Sequence, residues 1–462
     1  MRKHQLTVYN RQQPIKLKAE RVVFYLQGEI IEAVNRKNEE FYLFFYKNRF
    51  LTAAKTTKLR RACFIEKAFK SGIVFDGSHP IVSKLLSSNA PCHIIGFDIL
   101  LKKLNSHYSP HEKSFILTFF ESFISKKKLL QEMISIFYDF RRNGQLFHAY
   151  QITQIIKEFA PDHNLVKQLT NDVAYQKYAI MYEEKSEELF TKDLLYAEKL
   201  YYYEKENLHY FHNYIQLVEN QSRWISAIAL WIWQVSNQPT KQNYQSLIER
   251  LNEQFDDVEN IYILEKVSKQ IPKFIPIQQD LFQLYVEIND MDKLFRLMKQ
   301  KEFQLNDKQV QLIGDRLAKT NWEKNSSPLD METMDALLKP ISKEFPDKAE
   351  PILTNFVISL LKTKELNEVK NWLKQSQGSY DNFSIYKKVK QMVQLENELD
   401  EMQTLGELYF DLKLYDRAIE CFSWEMEMKP QDPKPVQWLS KTYREMGMPE
   451  ESEAYRKHSN TL

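Results

Sequence analysis

The clearest regular pattern in the sequence is LDEMQTLGELYFDLKLYDRAIECFSWEMEMKPQ, which covers residues 399–431. Leu405, Leu408 and Leu412 recur at helical spacing, so one face of a first helix is apolar. A second helix is expected to end at Pro430, because proline cannot continue a helix interior. The stretch therefore predicts two helices that are packed against each other.

Six residues in this stretch have the spacing of a known structural repeat: Leu405, Gly406, Tyr409, Ala418, Phe422 and Pro430. The stretch resembles the tetratricopeptide repeat, a helical hairpin of about 34 residues. Met402 stands where that family usually has Trp, and Glu425 stands where it usually has Ala. The resemblance implies that Gly406 lets the second helix approach, that Ala418 lies at the helix crossing, and that Phe422 fills the gap to the next hairpin.

Less regular copies of the pattern flank this unit. Residues 433–458 keep Leu439, Tyr443 and Gly447 at matching positions, as a terminal capping repeat would. Upstream, Ala149 precedes Pro161 by the same 12 residues that separate Ala418 from Pro430. We therefore predict degenerate hairpins over 130–398, the best unit over 399–432, and a partial unit with a capping helix over 433–462. Breaks between hairpins are predicted at Asn325–Pro328 and Gly378–Asn382.

Glycine is scarce, with 9 residues among 462, whereas proteins average about 7%. Tight turns between strands commonly use glycine for backbone angles with φ > 0. The scarcity therefore favours an all-α protein, and the fold class predicted is a solenoid of tetratricopeptide-like hairpins with a separate, mostly helical N-terminal domain.

Residues 1–129 do not match the repeat. Val22–Asn35 and Lys58–Ser71 are predicted to be helices, Phe41–Tyr46 is ambiguous, and Ile94–Leu104 fits a strand or a helix. Residues 1–130 contain 23 Lys or Arg and 10 Asp or Glu, a balance of +13 that leaves −11 for the remainder of a chain with net charge +2. This split predicts a binding role for residues 1–129 that differs from the role of the repeats.

The resemblance implies that the repeats bind a peptide or protein segment in a groove lined by their first helices. The groove positions that correspond to the family's are Gln403, Glu407, Phe410, Asp411, Gln437, Lys441, Arg444 and Glu445. Lys441 and Arg444 are three residues apart and could hold a ligand carboxylate, although an exposed pair bridged to nearby glutamates is the more common arrangement.

No nucleotide-binding, hydrolase or zinc-protease motif occurs in the chain, so we predict no catalytic residue, no cofactor and no metal site. Two basic runs stand out, one with Lys58, Arg60, Arg61 and Lys67 beside Phe64, the other at Lys126–Lys128. A solvated face is the usual explanation of such runs, and contact with nucleic acid or an acidic partner is the alternative.

Three functions remain open at this point. The first is a non-enzymatic scaffold or adaptor. The second is a regulator similar to the peptide-sensing helical-repeat proteins of Gram-positive bacteria, which a compact three-helix unit with a basic second helix in 1–129 would support. The third is an enzyme with its catalytic domain in 1–129. The most apolar run, Trp224–Val235, has 12 residues, too few for a membrane span of about 20, and the three cysteines lie far apart, so a cytoplasmic protein is expected.

Overall fold

A computed structural model describes residues 5–56, 58–170, 172–288, 290–298, 306–319, 331–375 and 380–460. The chain forms two compact units, unit 1 over Met1–Leu281 and unit 2 over Phe282–Leu462. The predicted divisions at residues 129, 398 and 432 stay predictions. The predicted break at Asn325–Pro328 lies outside the described residues, as do the first two residues of Gly378–Asn382.

Unit 1 begins with a mixed sheet. The described part of the unit contains seven strands: β1 Gln5–Asn10, β2 Gln13–Tyr25, β3 Gly28–Asn35, β4 Glu40–Tyr46, β5 Arg49–Lys55, β6 Ile73–Asp76 and β7 Cys92–Ile94. The strand order is β5-β4-β3-β2-β1-β7, and β6 also pairs with β2. All pairs are antiparallel except β1 with β7. The Thr52 hydroxyl on β5 bonds to the backbone of Ile95 just after β7, so the sheet nearly closes on itself.

The sheet overturns the predicted all-α fold class and its mostly helical N-terminal domain. Glycine is scarce even though the sheet has tight turns, because these turns place other residues in the left-handed region. Arg11, Leu26, Lys47 and Asn48 have φ values of 55°, 54°, 50° and 63° in three two-residue hairpin turns. A low glycine count therefore does not exclude β-hairpins. Residues other than glycine can adopt φ > 0 in the turns, although this conformation costs them free energy.

Burial on both faces explains why the strands were not recognised. Six of the seven residues of β4 are buried, and the first four residues of β3 are buried. Such strands lack the alternation that marks a half-exposed strand. The predicted helix Val22–Asn35 is wrong, since it spans the end of β2 and all of β3. The ambiguous Phe41–Tyr46 lies in β4.

Helices cover the rest of unit 1. Their bounds are α1 Phe64–Ser71, α2 Pro80–Ser87, α3 Phe97–His107, α4 Pro110–Leu117, a 3-10 turn at Thr118–Phe120, α5 Lys126–Arg142, α6 Leu146–Phe159, α7 Asn164–Thr170, α8 Val173–Glu184, α9 Glu187–Lys192, α10 Leu194–Tyr203, α11 Leu208–Asn220, α12 Trp224–Asn237, α13 Lys241–Gln254 and α14 Asp257–Gln270. The helix predicted over Lys58–Ser71 starts only at Phe64, and most of Ile94–Leu104 lies in α3.

The later helices of unit 1 are anchored to the sheet through buried polar groups. The Tyr202 hydroxyl on α10 donates to the carbonyl of Phe24 on β2 over 3.4 Å, and the Ser226 hydroxyl on α12 donates to the Glu29 carboxyl on β3 over 3.0 Å. Arg223 and Glu198 form a fully buried ion pair with 2.6 Å between Nη1 and Oε1. The two hydrogen bonds tie α10 and α12 to the sheet, and the ion pair joins α10 to the residue before α12, so the sheet and these helices belong to one compact unit.

Unit 2 is helical throughout its described residues. Helix α15 Ile275–Glu287 crosses the division between the units, and the helices that follow are α16 Met291–Met298, α17 Asp307–Lys319, α18 Met331–Glu344, α19 Pro346–Leu361, α20 Leu366–Gln375, α21 Ser384–Leu395, α22 Met402–Asp411, α23 Tyr415–Met428, α24 Pro433–Glu445 and α25 Pro449–Ser459, with a 3-10 turn at Leu399–Glu401. Helix α22 packs on α23, and α24 packs on α25. In the described part of the chain, no helix combines the length and apolarity that crossing a bilayer requires.

Candidate functional site

The residues expected to shape the best repeat meet at the contact between α22 and α23. Leu405, Gly406 and Tyr409 are buried on α22, and Ala418 and Phe422 are buried on α23. A Cβ atom added to Gly406 would lie 2.6 Å from the Phe422 ring, so only glycine allows the two helices this approach. Pro430 is exposed, two residues after the end of α23.

Three side chains form a cluster on the face shared by α22 and α24. The rings of Phe410 and Trp438 lie 5.1 Å apart and nearly perpendicular. The Lys441 ammonium lies 4.7 Å from the centre of the Phe410 ring and 4.1 Å from that of Trp438. We call Phe410, Trp438 and Lys441 the aromatic–lysine cluster. Both rings are partly exposed, so the cluster offers an apolar surface beside a cation.

The other predicted groove residues surround this cluster unevenly. On α22, Gln403 donates to Glu407 over 2.8 Å, and Asp411 lies 3.7 Å from the ammonium of Lys388 on α21. On α24, Gln437, Arg444 and Glu445 are exposed. Among the residues that the structure describes, neither Lys441 nor Arg444 forms an ion pair, so the bridge to a nearby glutamate that the sequence suggested is not formed there.

Trp438 was missed by the sequence reasoning, although a signal for it was present. It precedes Lys441 by three residues, which places the two side chains on one face of α24. The ring of Trp438 also stacks on Phe422 of α23 with 5.5 Å between centres. Trp438 therefore contacts both the core of the hairpin α22–α23, through Phe422, and the exposed aromatic–lysine cluster, through Phe410.

Unit 1 contains a pocket of about 390 Å³ that the sequence did not indicate. Its walls come from the sheet, from α1, from α4 and from the helices α6, α8 and α10. Because these segments are spread from Tyr25 to Tyr203, no local pattern in the sequence could have revealed them together. The volume lies in the range of about 300–1,000 Å³ that is typical of small-molecule sites.

Polar groups converge at the most buried lining of this pocket. The Asp193 carboxylate accepts hydrogen bonds from the Tyr182 hydroxyl and, over 2.9 Å, from the backbone N–H of Tyr196. His111 Nδ1 lies 4.0 Å from Asp193 Oδ1, and burial lowers the pKa of His111, so its imidazole is neutral at pH 7. Burial also raises the pKa of Tyr182 well above its ordinary value, which keeps its hydroxyl protonated as a donor to Asp193.

The hydrogen-bonding capacity of Asp193 is partly used within the protein. Each carboxylate oxygen of Asp193 already accepts a hydrogen bond from a protein donor, and His111 is beyond hydrogen-bonding distance of it. The buried end can also donate to and accept from a bound molecule.

The exposed rim of the same pocket is basic. Arg61 and Lys67 come from the first basic run of the sequence, and Lys126 comes from the second. The Lys126 ammonium lies 4.8 Å from the centre of the Phe159 ring. The fold thus brings together two basic runs that the sequence analysis treated separately.

The sequence was compared with protein-family models and with curated proteins. No protein-family model matches the sequence, and no curated protein matches it either. Within the described residues, no group of three His, Cys, Asp or Glu side chains is close enough to hold a metal ion.

Proposed function

We propose that α22–α25 are tetratricopeptide-type hairpins and that their α22/α24 face binds a peptide segment of another protein without chemical change. The observation that carries the proposal is the aromatic–lysine cluster. Two of its three members, Phe410 and Lys441, occupy positions that line the ligand groove in the family that the sequence resembles. Partly exposed aromatic rings next to a cation are the kind of surface that contributes most of the energy in protein interfaces.

The charges around the cluster define the ligand. Lys441 and Arg444 are one helical turn apart and unpaired in the described part of unit 2, so they favour a carboxylate. The rings of Phe410 and Trp438 favour an apolar side chain. A peptide with an acidic group, either a side chain or its terminal carboxylate, next to an aromatic or large aliphatic residue satisfies both. Such a peptide is the expected ligand.

Selection from a random-peptide display library on the full-length chain tests this proposal. Peptides that pair an acidic group with an apolar residue should be enriched, and their affinity can be measured by fluorescence anisotropy. The double variant Lys441→Glu with Arg444→Glu should weaken their binding by at least tenfold. The matched control is Lys374→Glu with Lys457→Glu, which makes the same change in charge on exposed residues of α20 and α25, outside the α22/α24 face.

The proposal fails if no peptide is enriched, or if the selected peptides bind the double variant and the control equally well. Circular dichroism of both variants distinguishes loss of binding from loss of fold. The peptide-sensing regulator stays the alternative proposal, although residues 5–55 form strands and give no support to a three-helix unit there.

A further inference from the structure

The basic rim of the unit 1 pocket carries more positive charge than the nearby Glu121 carboxyl can balance. Within the described residues, Arg61, Lys67 and Lys126 form no ion pair. Of the acidic residues that line the pocket, Glu158 pairs with Lys199 and Glu121 accepts from the backbone N–H of Phe64 over 2.7 Å. The three cations therefore remain available to an anion from outside, and groups of Arg and Lys are the usual protein ligands of phosphate.

Lys67 and Lys126 lie near the same carboxyl group, that of Glu121. Burial raises the pKa of the Glu121 carboxyl, while the charges of Lys126 and Lys67 both act to lower it. Lys126 is the first residue of α5 and Lys67 lies in α1, so two separate elements hold the cations around one carboxyl. This placement builds a local positive region in a chain whose net charge is only +2.

Aromatic side chains form the wall between the basic rim and the buried end. The rings of Tyr25 and Phe64 lie 5.4 Å apart, and those of Phe64 and Phe115 lie 5.9 Å apart, both in edge-to-face contact. The hydroxyl of Tyr25 bonds to that of Tyr203 over 2.7 Å, which fixes the Tyr25 ring. Each ring is held by its neighbours, so the wall presents a preformed apolar surface that suits a flat ring.

The buried end offers hydrogen bonds of both kinds. Gln151 donates to the carbonyl of Lys192 over 3.4 Å and bonds to His148 Nδ1 over 2.8 Å, which fixes the orientation of its amide. The neutral imidazole of His111 carries one donor and one acceptor, and Asp193 provides acceptor lone pairs. A ligand with polar atoms at the edge of its ring finds partners here.

We propose that this pocket binds a small phosphorylated molecule with a flat heterocyclic ring, of the size and chemistry of a nucleoside monophosphate. The ring lies against Tyr25, Phe64 and Phe115, its polar edge faces His111 and Asp193, and its phosphate meets Arg61, Lys67 and Lys126. The volume of about 390 Å³ holds one such unit, which favours a free small molecule over a nucleic-acid strand. This site lies in unit 1, so the proposal is independent of peptide binding by unit 2.

Isothermal titration calorimetry on the full-length chain tests the proposal with three kinds of probe: the four common nucleoside monophosphates, inorganic phosphate and a single-stranded RNA oligomer. At least one monophosphate should bind with a one-to-one stoichiometry and at least tenfold more tightly than inorganic phosphate. The double variant Lys67→Gln with Lys126→Gln should weaken that binding by at least tenfold. The matched control is Lys70→Gln with Lys127→Gln, since these exposed lysines belong to the same helices and do not line the pocket.

Each other outcome overturns the proposal. Equal affinity for inorganic phosphate and for every monophosphate would mean that the ring is not recognised. Binding of the RNA oligomer alone would identify a nucleic-acid surface instead. Binding that is the same in both double variants would place the ligand elsewhere, and no binding of any probe by the folded wild type would remove the site altogether.

Discussion

The sheet of unit 1 and the hairpin α22–α23 of unit 2 differ in how far apart along the chain their contacting residues lie. In the hairpin, Gly406 on α22 meets Phe422 on α23, which is only 16 residues later in the chain. In unit 1, the Asn48 amide donates to the Ser226 hydroxyl over 2.8 Å, across 178 residues. Packing in the helical hairpin is therefore encoded locally, whereas the sheet region makes buried polar contacts with helices that come much later in the chain.

The largest effect expected from this comparison is the loss of the buried ion pair in unit 1. Arg223→Met leaves the carboxylate of Glu198 buried without its cation, and it removes the charge that favours ionised Glu29. We expect the free energy of unfolding of unit 1 to fall by about 3–5 kcal/mol. Chemical denaturation followed by circular dichroism measures this change.

Two further variants make this test specific. Arg142→Met breaks an exposed ion pair with Asp139 and should change stability by less than about 0.5 kcal/mol. Replacing both Arg223 and Glu198 by Met should recover a large part of the loss, because no lone charge then remains buried. A loss below about 1 kcal/mol for Arg223→Met alone would mean that unit 1 does not depend on this contact.

The elements that could be predicted from the sequence are those whose contacts are local along the chain. The helices of 399–459 were predictable because leucines at helical spacing mark a face that packs on its own neighbour. The sheet was not predictable, because β4 is buried on both faces and because Lys47 and Asn48 occupy turn positions where glycine is usual. Phe410 and Lys441 were predicted as groove residues from the repeat pattern, and that role stays a prediction, whereas His111 and Asp193 come together only in the folded chain.

The second largest effect is a pH dependence confined to unit 1. Burial raises the pKa of Glu29 to about 7, although bonds from Asn48 and Ser226 oppose this, whereas its unfolded value is 4.5. The folded state therefore binds the Glu29 proton more tightly, so this contribution is present below pH 4.5 and is lost as the pH rises through 7. Between pH 5 and pH 8 we expect unit 1 to lose about 2 kcal/mol of stability through this group.

Glu29→Gln isolates this contribution, since an amide of the same size does not titrate. Urea denaturation of the wild type and of the variant at pH 5, 6, 7 and 8 gives the difference in unfolding free energy, which should grow in favour of the variant as the pH rises. Subtracting one unfolding free energy from the other cancels the contributions of the other titrating groups. One of these groups is His79, whose pKa is lowered to about 3 by burial. Parallel curves for the two proteins would contradict a raised pKa of Glu29.

A smaller effect tests the close packing of the hairpin. Gly406→Ala gains about 1 kcal/mol of helix propensity, yet its Cβ would meet the Phe422 ring, which cannot retreat because it stacks on Trp438. We expect a net loss of about 1 kcal/mol or more. Gly314→Ala on α17 is the control, because its nearest neighbour would be 3.7 Å away, and it should gain about 0.5–1 kcal/mol. The denaturation midpoint of unit 2 is measured for both variants. A gain in stability for Gly406→Ala as well as for Gly314→Ala would show that α22 and α23 can move apart without loss.

The smallest effect compares one turn from each unit. Arg11 between β1 and β2 and Lys413 between α22 and α23 are exposed residues with φ values of 55° and 59°. A left-handed conformation costs a non-glycine residue about 1 kcal/mol, and glycine loses part of this gain to its freer unfolded chain. Arg11→Gly and Lys413→Gly should each therefore stabilise their own unit by about 0.5 kcal/mol, measured as a shift in the denaturation midpoint. Alanine at either position keeps the strain and should give no gain. In the turn after α22, the N–H groups of Lys413 and Leu414 donate to carbonyls of α22 over 2.8 and 2.9 Å. If glycine stabilises the protein only at Lys413, then the conformation of the β1–β2 turn is set by the pairing of its strands and not by the backbone preference of Arg11.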